Sequence, residues 1–374
     1  MPKSFLVKIS IFSASQLEKF NLCRFSYFCN YGLNVRERQR AEINPMQYGT
    51  IVHYILERFF GEYTKEEYLS LEEDKFQKIV CAYLSEYAAT YFGEEQLESN
   101  SFTYRLKTIL DNVMYLMKHI MEELSQSEFL VADCELKIGE DIPSYTIVLP
   151  DGHKIAVCGS VDRVDIMQRA DITYLRIIDY KTGTKQFKLS DILYGINLQM
   201  LLYLHSIEAS GGDKYGEIVP AGILYMPATV PYISSDSLKS IDKLPDELNK
   251  KLKMNGLLLK DTEIIHGMDK TDAATYIPVK IKAGEPVSST SLATLAEFGK
   301  IFKKVDMLIA EMGKNIYNGN IEAKPLKGGH DSCEYCPYDS VCAYRQSNPI
   351  TCFSVDNKTV IEEITNEING KEEE

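Results

Sequence analysis

The chain of 374 residues carries a formal net charge of −13 and is 45% hydrophobic, a composition that is typical of a globular protein and excludes a disordered chain. The negative charge excludes a general nucleic-acid coat, because phosphate binding needs lysine and arginine side chains. It is compatible with metal-dependent chemistry on nucleic acid, which requires carboxylates. No run approaches the roughly 18 apolar residues of a membrane span, so we expect a cytoplasmic protein without a membrane partner.

The first third of the chain is predicted to be helical. Ser15 and Glu18 fit the capping-box pattern, which predicts that a helix begins there. Three further helices are predicted at about 47–63, 65–91 and 104–126.

From Ala132 the hydrophobic pattern changes to short alternating runs, which indicate strands. Asp151-Gly152 between two of these runs is typical of a hairpin turn. Together these elements predict a mixed α/β sheet flanked by helices. The predicted elements are strands at about 133–138, 145–149, 154–166 and 174–180, a helix at 190–209 and a strand at 221–226.

The last third is less regular. Residues 227–285 are uneven and rich in charge, which favours an inserted or peripheral segment, and a long helix is predicted at 292–317. The tail from Val355 to Glu374 contributes −5 to the net charge and is expected to be solvated or disordered. The chain is accordingly divided into a helical part (1–130), a sheet core (131–227), a peripheral segment (228–290), a helix with a cysteine segment (291–352) and an acidic tail (353–374).

Charged side chains meet in the octet RIIDYKTG, which starts at Arg176. Because side chains alternate along a strand, Asp179 and Lys181 are predicted to point to the same side. Asp162 lies 17 residues earlier, a separation that fits two antiparallel strands with both carboxylates at one sheet edge. Carboxylates beside a lysine suit Mg²⁺, which takes oxygen ligands, polarises a phosphate and activates water. A plain surface ion pair is the alternative.

Two polar pairs have helical spacing. His53 and Glu57 lie four residues apart on one predicted helix face, as do Gln199 and Tyr203. Each pair has an ordinary alternative: a histidine satisfied within the core, and a polar pair at a helix boundary.

Three of the nine cysteines, Cys333, Cys336 and Cys342, lie close enough in sequence to share a metal centre. A fourth ligand is needed for either tetrahedral zinc or a [4Fe-4S] cluster. Spacing alone leaves Cys23, Cys29 and Cys352 as candidates.

Four motifs in fixed order carry a family resemblance: G-x-x-x-H-x-x-L-E from Gly49, G-x-V-D-R-V-D from Gly159, D-Y-K-T-G from Asp179 and L-Q-x-L-L-Y-L from Leu198. In this order they resemble the RecB-like branch of the PD-(D/E)XK nuclease superfamily, from Ser13 to Arg345. The resemblance implies a restriction-endonuclease-like mixed sheet.

The resemblance also implies roles for individual residues in binding Mg²⁺ (or Mn²⁺) and in catalysis. Asp165 is interpreted as structural. The implied metal ligands are Asp162, Asp179, the carbonyl of Tyr180, His53 and, from an acidic position in the preceding strand, Glu135; Lys181 is the implied catalytic lysine, and Gln199 and Tyr203 are implied to support the site and the DNA strand.

The region from Ser13 to Leu33 is similar to the start of the nuclease domain of the AddB subunit of bacterial helicase-nucleases. That similarity implies that Cys23 joins the three later cysteines around a [4Fe-4S] cluster, although Arg24 stands where relatives usually carry proline. Zinc in place of the cluster stays open. The remaining thiols are interpreted as ordinary: Cys29, Cys81, Cys134, Cys158 and Cys352.

The family implies a Mg²⁺-dependent deoxyribonuclease of double-strand break repair, acting as an exonuclease on single-stranded DNA ends beside a helicase subunit of the AddA type. The sequence contains no G-x-x-x-x-G-K-[S/T] phosphate loop, so we expect no ATP hydrolysis by this chain. Two alternatives stay open: a stand-alone exonuclease like those of CRISPR adaptation, and a catalytically dead DNA-binding module stapled by an iron–sulfur cluster.

Overall fold

A computed structural model describes residues 9–36, 45–93, 98–183, 186–230, 244–271, 273–288, 290–342, 344 and 349–372. The N-terminal third is helical, as predicted. It contains strand β1 (Ile9–Ser13), helices α1 (Ala14–Leu22) and α2 (Arg24–Tyr27), a π-helical turn (Phe28–Gly32), and helices α3 (Pro45–Glu62), α4 (Lys65–Leu69), α5 (Glu73–Tyr91) and α6 (Asn100–Gln126).

Strands dominate the middle of the chain. They are β2 (Leu130–Ile138), β3 (Thr146–Val148), β4 (Lys154–Arg169) and β5 (Ile172–Lys181), followed by a 3-10 turn (Leu189–Tyr194), helices α7 (Gln199–Ser210) and α8 (Gly212–Tyr215), and strand β6 (Glu217–Pro227).

The last part mixes short strands with two long helices. It comprises α9 (Leu244–Leu252), β7 (Asn255–Leu259), α10 (Thr262–Met268), β8 (Lys280–Lys282), β9 (Glu285–Val287), β10 (Leu292–Ala293), α11 (Leu295–Tyr317), β11 (Leu326–Gly328), a 3-10 turn (Asp339–Val341), β12 (Ile350–Cys352) and α12 (Asn357–Glu372).

The central sheet is mixed, with the strand order β1-β4-β5-β6-β7-β10, and β2 and β3 also pair with β4. Strand β4 runs antiparallel to β2, β3 and β5 and parallel to β1. Strands β5 and β6 are parallel, and β6 and β7 are antiparallel. One continuous apolar core joins this sheet to the helices around it. The predicted mixed sheet flanked by helices is therefore confirmed, and the predicted hairpin at Asp151-Gly152 joins β3 to β4.

Three predicted helix boundaries are wrong in an informative way. The capping box of α1 is formed by Ser13 and Gln16, because the carboxylate of Glu18 is bound elsewhere, to the backbone N–H of Gln199. The predicted helix at 65–91 is interrupted at Ser70, whose hydroxyl closes the last turn of α4 on Glu67. The predicted helix at 190–209 is broken at Gly195, which takes a left-handed φ of 68°.

The acidic tail is not disordered over its described part. Helix α12 buries Val360, Ile364 and Ile368, which recur every four residues and so form one apolar stripe against the core. The Lys304 ammonium also contacts the Glu367 carboxylate at 2.5 Å. The dense acidic residues between the apolar positions conceal this stripe in the sequence.

The segment at 227–285 is not wholly peripheral. Its residues 231–243 and 272 lie outside the described part of the chain, but strand β7 belongs to the central sheet, and Leu257 and Leu258 are fully buried there. In the predicted helix at 292–317, Leu292 and Ala293 instead pair with β7, and the helix begins after the Thr294–Glu297 capping box. Among the described residues, no helix has the length and apolarity to cross a membrane.

Candidate active site

The antiparallel pairing of β4 and β5 brings Asp162 next to Asp179. Arg163 pairs with Ile178 in this register, and the Asp162 carboxylate accepts a hydrogen bond of 2.8 Å from the backbone N–H of Tyr180. Burial, and then the neighbouring Asp179 carboxylate, raise the pKa of Asp162 well above its usual range. Two carboxylates held together in this way favour the binding of a cation, which would relieve their repulsion.

His53 reaches this pair from helix α3. Its Nε2 atom lies 3.3 Å from the carbonyl oxygen of Tyr180 and 3.6 Å from a carboxylate oxygen of Asp162. Burial alone would lower the pKa of His53, but the hydrogen bond with Glu135 and the nearby Asp162 charge outweigh it, so the pKa is raised. Ligand atoms of His53, Glu135 and Asp162 lie within 4.8 Å of one another, close enough to hold one metal ion.

Glu135 has both carboxylate oxygens engaged by the protein. One lies 3.1 Å from Nδ1 of His53, and the other accepts a hydrogen bond of 2.7 Å from the Ser160 hydroxyl. Its backbone φ is +51°, an uncommon left-handed conformation for a residue other than glycine within a strand. Such strain is typical of positions that a functional site requires. Glu135 is therefore placed to fix the orientation of the His53 ring.

Lys181 lies on the same side of β5 as Asp179, as the alternation predicts. Its ammonium is 2.6 Å from a carboxylate oxygen of Asp179, which is itself 3% exposed, whereas about a quarter of the Lys181 side chain is exposed. The lysine is thus tethered at the rim of the carboxylate pair and stays accessible to a substrate.

These residues line a single open cleft of about 700 Å³. The cleft includes eleven predicted or motif residues together with side chains that the sequence patterns did not identify. The predicted or motif residues are Gly49, His53, Glu57, Glu135, Asp162, Asp179, Tyr180, Lys181, Thr182, Gly183 and Gln199, and the unidentified ones include Tyr54, Tyr87, Tyr91 and Lys137.

Tyr203 is not part of the cleft wall. It is 5% exposed and lies behind the site, with its hydroxyl so close to Gly159 that a Cβ atom built there would sit 2.1 Å from it. Gly159 is therefore needed for the close approach of Tyr203 to β4. Gln199 is the first residue of α7, whose N-terminus is capped by the Glu18 carboxylate at 3.0 Å. Helix α7 is in this way fixed to α1, a contact across 181 residues of sequence.

Asp165 lies in a buried charge network, in agreement with its structural interpretation. Arg163 and Arg176 contact Asp165 at 2.8 Å, and they contact Glu123 of α6 at 3.3 and 2.6 Å, respectively. All four side chains are fully buried. Arg163 also donates to the Tyr180 hydroxyl at 3.1 Å, so this network supports the strand that carries the site.

The four predicted cluster cysteines line one cavity of about 180 Å³. Cys23 lies between α1 and α2, and the backbone N–H groups of Ser26 and Phe25 hydrogen-bond its sulfur, which partly offsets the rise in its pKa caused by burial. Cys352 is buried in a separate small apolar group with Ile196 and Leu326. The structure therefore brings Cys23 to Cys333, Cys336 and Cys342 and places Cys352 elsewhere.

The separation of the sulfurs bears on which metal centre the donor set fits. Within the described part of the chain, no three cysteine sulfurs lie within 4.8 Å of one another. Zn–S bonds of about 2.3 Å in a tetrahedral site require sulfurs about 3.8 Å apart. No three of these sulfurs are therefore as close to one another as a tetrahedral zinc site requires.

The sequence offered a signal for some of the unidentified residues. Tyr87 and Tyr91 have the i, i+4 spacing of one helix face, and Tyr54 follows His53 directly. Ser160 and Lys137 carry no local signal, because their place depends on the pairing of β2 with β4.

A family model described as the PD-(D/E)XK nuclease superfamily matches residues 11–343. Several curated relatives are named as the B-type component of an ATP-dependent helicase/deoxyribonuclease. The relative from Thermoanaerobacter sp. (strain X514) is 35% identical over 344 residues, which cover 89% of this chain and 30% of the relative. The relative from Ruminiclostridium cellulolyticum is 34% identical over 361 residues, covering 92% and 31%, and that from Clostridium acetobutylicum is 33% identical over 345 residues, covering 89% and 30%.

The chain thus spans about 30% of the length of these curated relatives. The similarity to the AddB component of helicase-nucleases, expected from the motifs, is confirmed. Because the family model matches residues 11–343 and the central sheet is mixed as this fold requires, the chain belongs to the PD-(D/E)XK nuclease superfamily.

Proposed function

We propose that this chain is a Mg²⁺-dependent deoxyribonuclease that hydrolyses phosphodiester bonds of single-stranded DNA ends as the nuclease part of an AddB-type helicase-nuclease. The observation that carries the proposal is the meeting of Asp162, Asp179, Lys181 and His53 in one cleft. This donor set suits a hard divalent cation, because carboxylate and carbonyl oxygens with an imidazole are ligands that Mg²⁺ and Mn²⁺ accept.

Four groups would hold the cation: the carboxylates of Asp162 and Asp179, the carbonyl of Tyr180 and Nε2 of His53. Glu135 lies close enough to be a further ligand, as predicted, but both of its oxygens are engaged by His53 and Ser160, so we assign it to the support of His53. A bound Mg²⁺ polarises the phosphate and lowers the pKa of water. Lys181, tethered to Asp179, would stabilise the negative charge that develops on the phosphate oxygens. Glu135 would accept a hydrogen bond from the Nδ1–H group of His53 and so leave the lone pair of Nε2 facing the cation.

The biological setting is inferred from the names of the relatives, which combine a helicase with a deoxyribonuclease. We infer that a helicase subunit of the AddA type supplies unwound strands during double-strand break repair. Such a partner would supply single-stranded ends, which are the substrate of an exonuclease.

We also infer a [4Fe-4S] cluster at Cys23, Cys333, Cys336 and Cys342. The support is the shared cavity and the N–H groups directed at the Cys23 sulfur; among the described residues, no three sulfurs are close enough for a tetrahedral zinc site. The cluster would staple the N-terminal helices to the C-terminal cysteine segment.

End-labelled single- and double-stranded DNA, incubated with anaerobically purified protein in Mg²⁺ or in chelator, tests the nuclease. We expect cleavage of the single strand in Mg²⁺ only, and its loss in Asp179→Ala and Lys181→Ala. Lys118→Ala, an exposed lysine paired with Glu73, is the matched control and should cleave like the original protein. Cleavage that persists in both site variants would refute the site, and binding without any cleavage would indicate a dead module.

Iron content and visible absorbance test the cluster separately. Cys23→Ser should lose the brown colour and the bound iron, whereas Cys81→Ser, a cysteine of α5 outside the cavity, should keep both. Stoichiometric zinc in the original protein would overturn this assignment.

A further inference from the structure

Three tyrosines form a continuous aromatic row along one wall of the catalytic cleft. The ring centres of Tyr54 and Tyr87 are 5.2 Å apart, and those of Tyr87 and Tyr91 are 4.5 Å apart with an interplanar angle of 36°. All three line the same cleft as Asp162 and Asp179. The row therefore shares this cleft with the metal-ligand cluster.

The exposure of the three rings changes along the row. Tyr54 is half-buried, Tyr87 is 7% exposed, and Tyr91, the last residue of α5, is 64% exposed. Contact with the buried Tyr87 ring restricts Tyr91, while most of the Tyr91 surface stays open. A single exposed aromatic ring is ordinary on a protein surface, but Tyr91 is set apart because it packs on Tyr87 within the cleft that contains the carboxylate pair.

The chemistry of the cleft identifies the class of ligand. Lys137 and Lys181 place two ammonium groups among four carboxylates in the same cleft, and the proposed cation would make it attractive to phosphate. Single-stranded nucleic acid matches this arrangement, because its phosphates bind cations and its bases stack on tyrosine rings with little regard to sequence. In a duplex the bases are already stacked and paired, so their faces are not available to such a row.

We propose that Tyr91, supported by Tyr87 and Tyr54, is a base-stacking platform that binds an unpaired base of a single DNA strand next to the metal-ligand cluster. This inference rests on the proposed nuclease function and deepens it, because it assigns a physical basis to the choice of single strands. Tyr91 acts in substrate binding and positioning.

Fluorescence anisotropy of a labelled oligothymidylate with the full 374-residue chain tests the platform. Ca²⁺ replaces Mg²⁺ to prevent cleavage, and a labelled abasic oligomer of equal length reports binding to the backbone alone. The variants are Tyr91→Ala, Tyr91→Phe, which keeps the ring, and Tyr104→Ala, at a tyrosine of α6 that is also largely exposed and does not line the cleft.

Tyr91→Ala should weaken oligothymidylate binding by roughly tenfold, as expected for the loss of one stacked base, with no change for the abasic oligomer. Tyr91→Phe and Tyr104→Ala should bind both oligomers like the original protein. Unchanged binding in Tyr91→Ala, equal losses with both oligomers, or no binding of oligothymidylate by the original protein would overturn the platform.

The result is separable from the nuclease proposal. If the original protein cleaves DNA but Tyr91→Ala binds like it, only the platform fails. If the base-dependent loss is seen in a protein that never cleaves, the platform stands and the nuclease proposal fails.

Discussion

Replacing Glu123 by glutamine is expected to lower the free energy of unfolding by about 3 to 5 kcal/mol. Glu123 contacts Arg176 at 2.6 Å and Arg163 at 3.3 Å, and all three side chains are fully buried. Glutamine keeps the volume but removes the negative charge, so two buried guanidinium groups are left with Asp165 as their one acidic partner within the network. The loss is large because the uncompensated charge stays out of water.

Glu73→Gln is the matched control, since Glu73 forms a 2.6 Å ion pair with Lys118 in which both side chains are largely exposed. An exposed pair of this kind contributes about 0 to 1 kcal/mol. Urea denaturation of both variants gives the comparison, with the midpoint and the slope read separately so that a change in the unfolded state is recognised. A Glu123→Gln variant no less stable than Glu73→Gln would refute the view that Glu123 is needed to neutralise the two buried arginines.

Three further predictions concern the glycine behind the site, a buried histidine and the tail. Gly159→Ala should lower the cleavage rate by roughly 100-fold, because the new methyl group would displace Tyr203 or the strand that carries the first aspartate. Burial would lower the pKa of His205, but Asp306 and a neighbouring glutamate raise it to about 9. Its stabilising contribution is therefore complete below about pH 6.5 and lost as pH rises through about 9, which urea denaturation at several pH values will show. Ile364→Ala, fully buried in α12, should cost about 2 to 5 kcal/mol in the same denaturation assay.

Each of these predictions has a matched control. Gly61→Ala adds a methyl group where no atom lies within 4 Å and should cleave normally; equal rates for the two glycine variants would contradict the role of Gly159. His205→Gln should lack the fall in stability between about pH 6.5 and about 9, and an identical profile would show that other groups cause it. Glu363→Ala, exposed on α12, should change stability by less than about 0.5 kcal/mol.

The sheet and the carboxylate pair could be predicted because their signals are local. Alternation placed the strands, Asp151-Gly152 located a hairpin, and the separation of Asp162 from Asp179 fitted the antiparallel pair that the structure contains. The arginines of the buried network could not be predicted in this way. Arg163 and Arg176 are fully buried because two carboxylates neutralise them, and one of these, Glu123, comes from a helix far away in sequence.

The same limit explains the errors at Glu18 and in the tail. Glu18 has the spacing of a capping-box residue, but its carboxylate instead caps α7 at the backbone N–H of Gln199. Gln199 is too distant in sequence for a local pattern to identify it. The tail has an apolar residue at every fourth position, yet its acidic composition outweighed that pattern in the prediction. Ile364 is buried in the core where helix α12 packs against α11, and this packing is a tertiary property.

The charge of the cleft connects the acidic composition to DNA handling. Glu57, Glu135, Asp162 and Asp179 face a space that also receives Lys137 and Lys181, so without a cation the acids outnumber the lysines and a phosphate is repelled. The proposed divalent ion at the carboxylate pair would reverse that balance locally, and stacking on the aromatic row would add affinity that does not depend on charge. On this proposal a strongly acidic protein selects a single strand at the cleft, because cation and base are both required there.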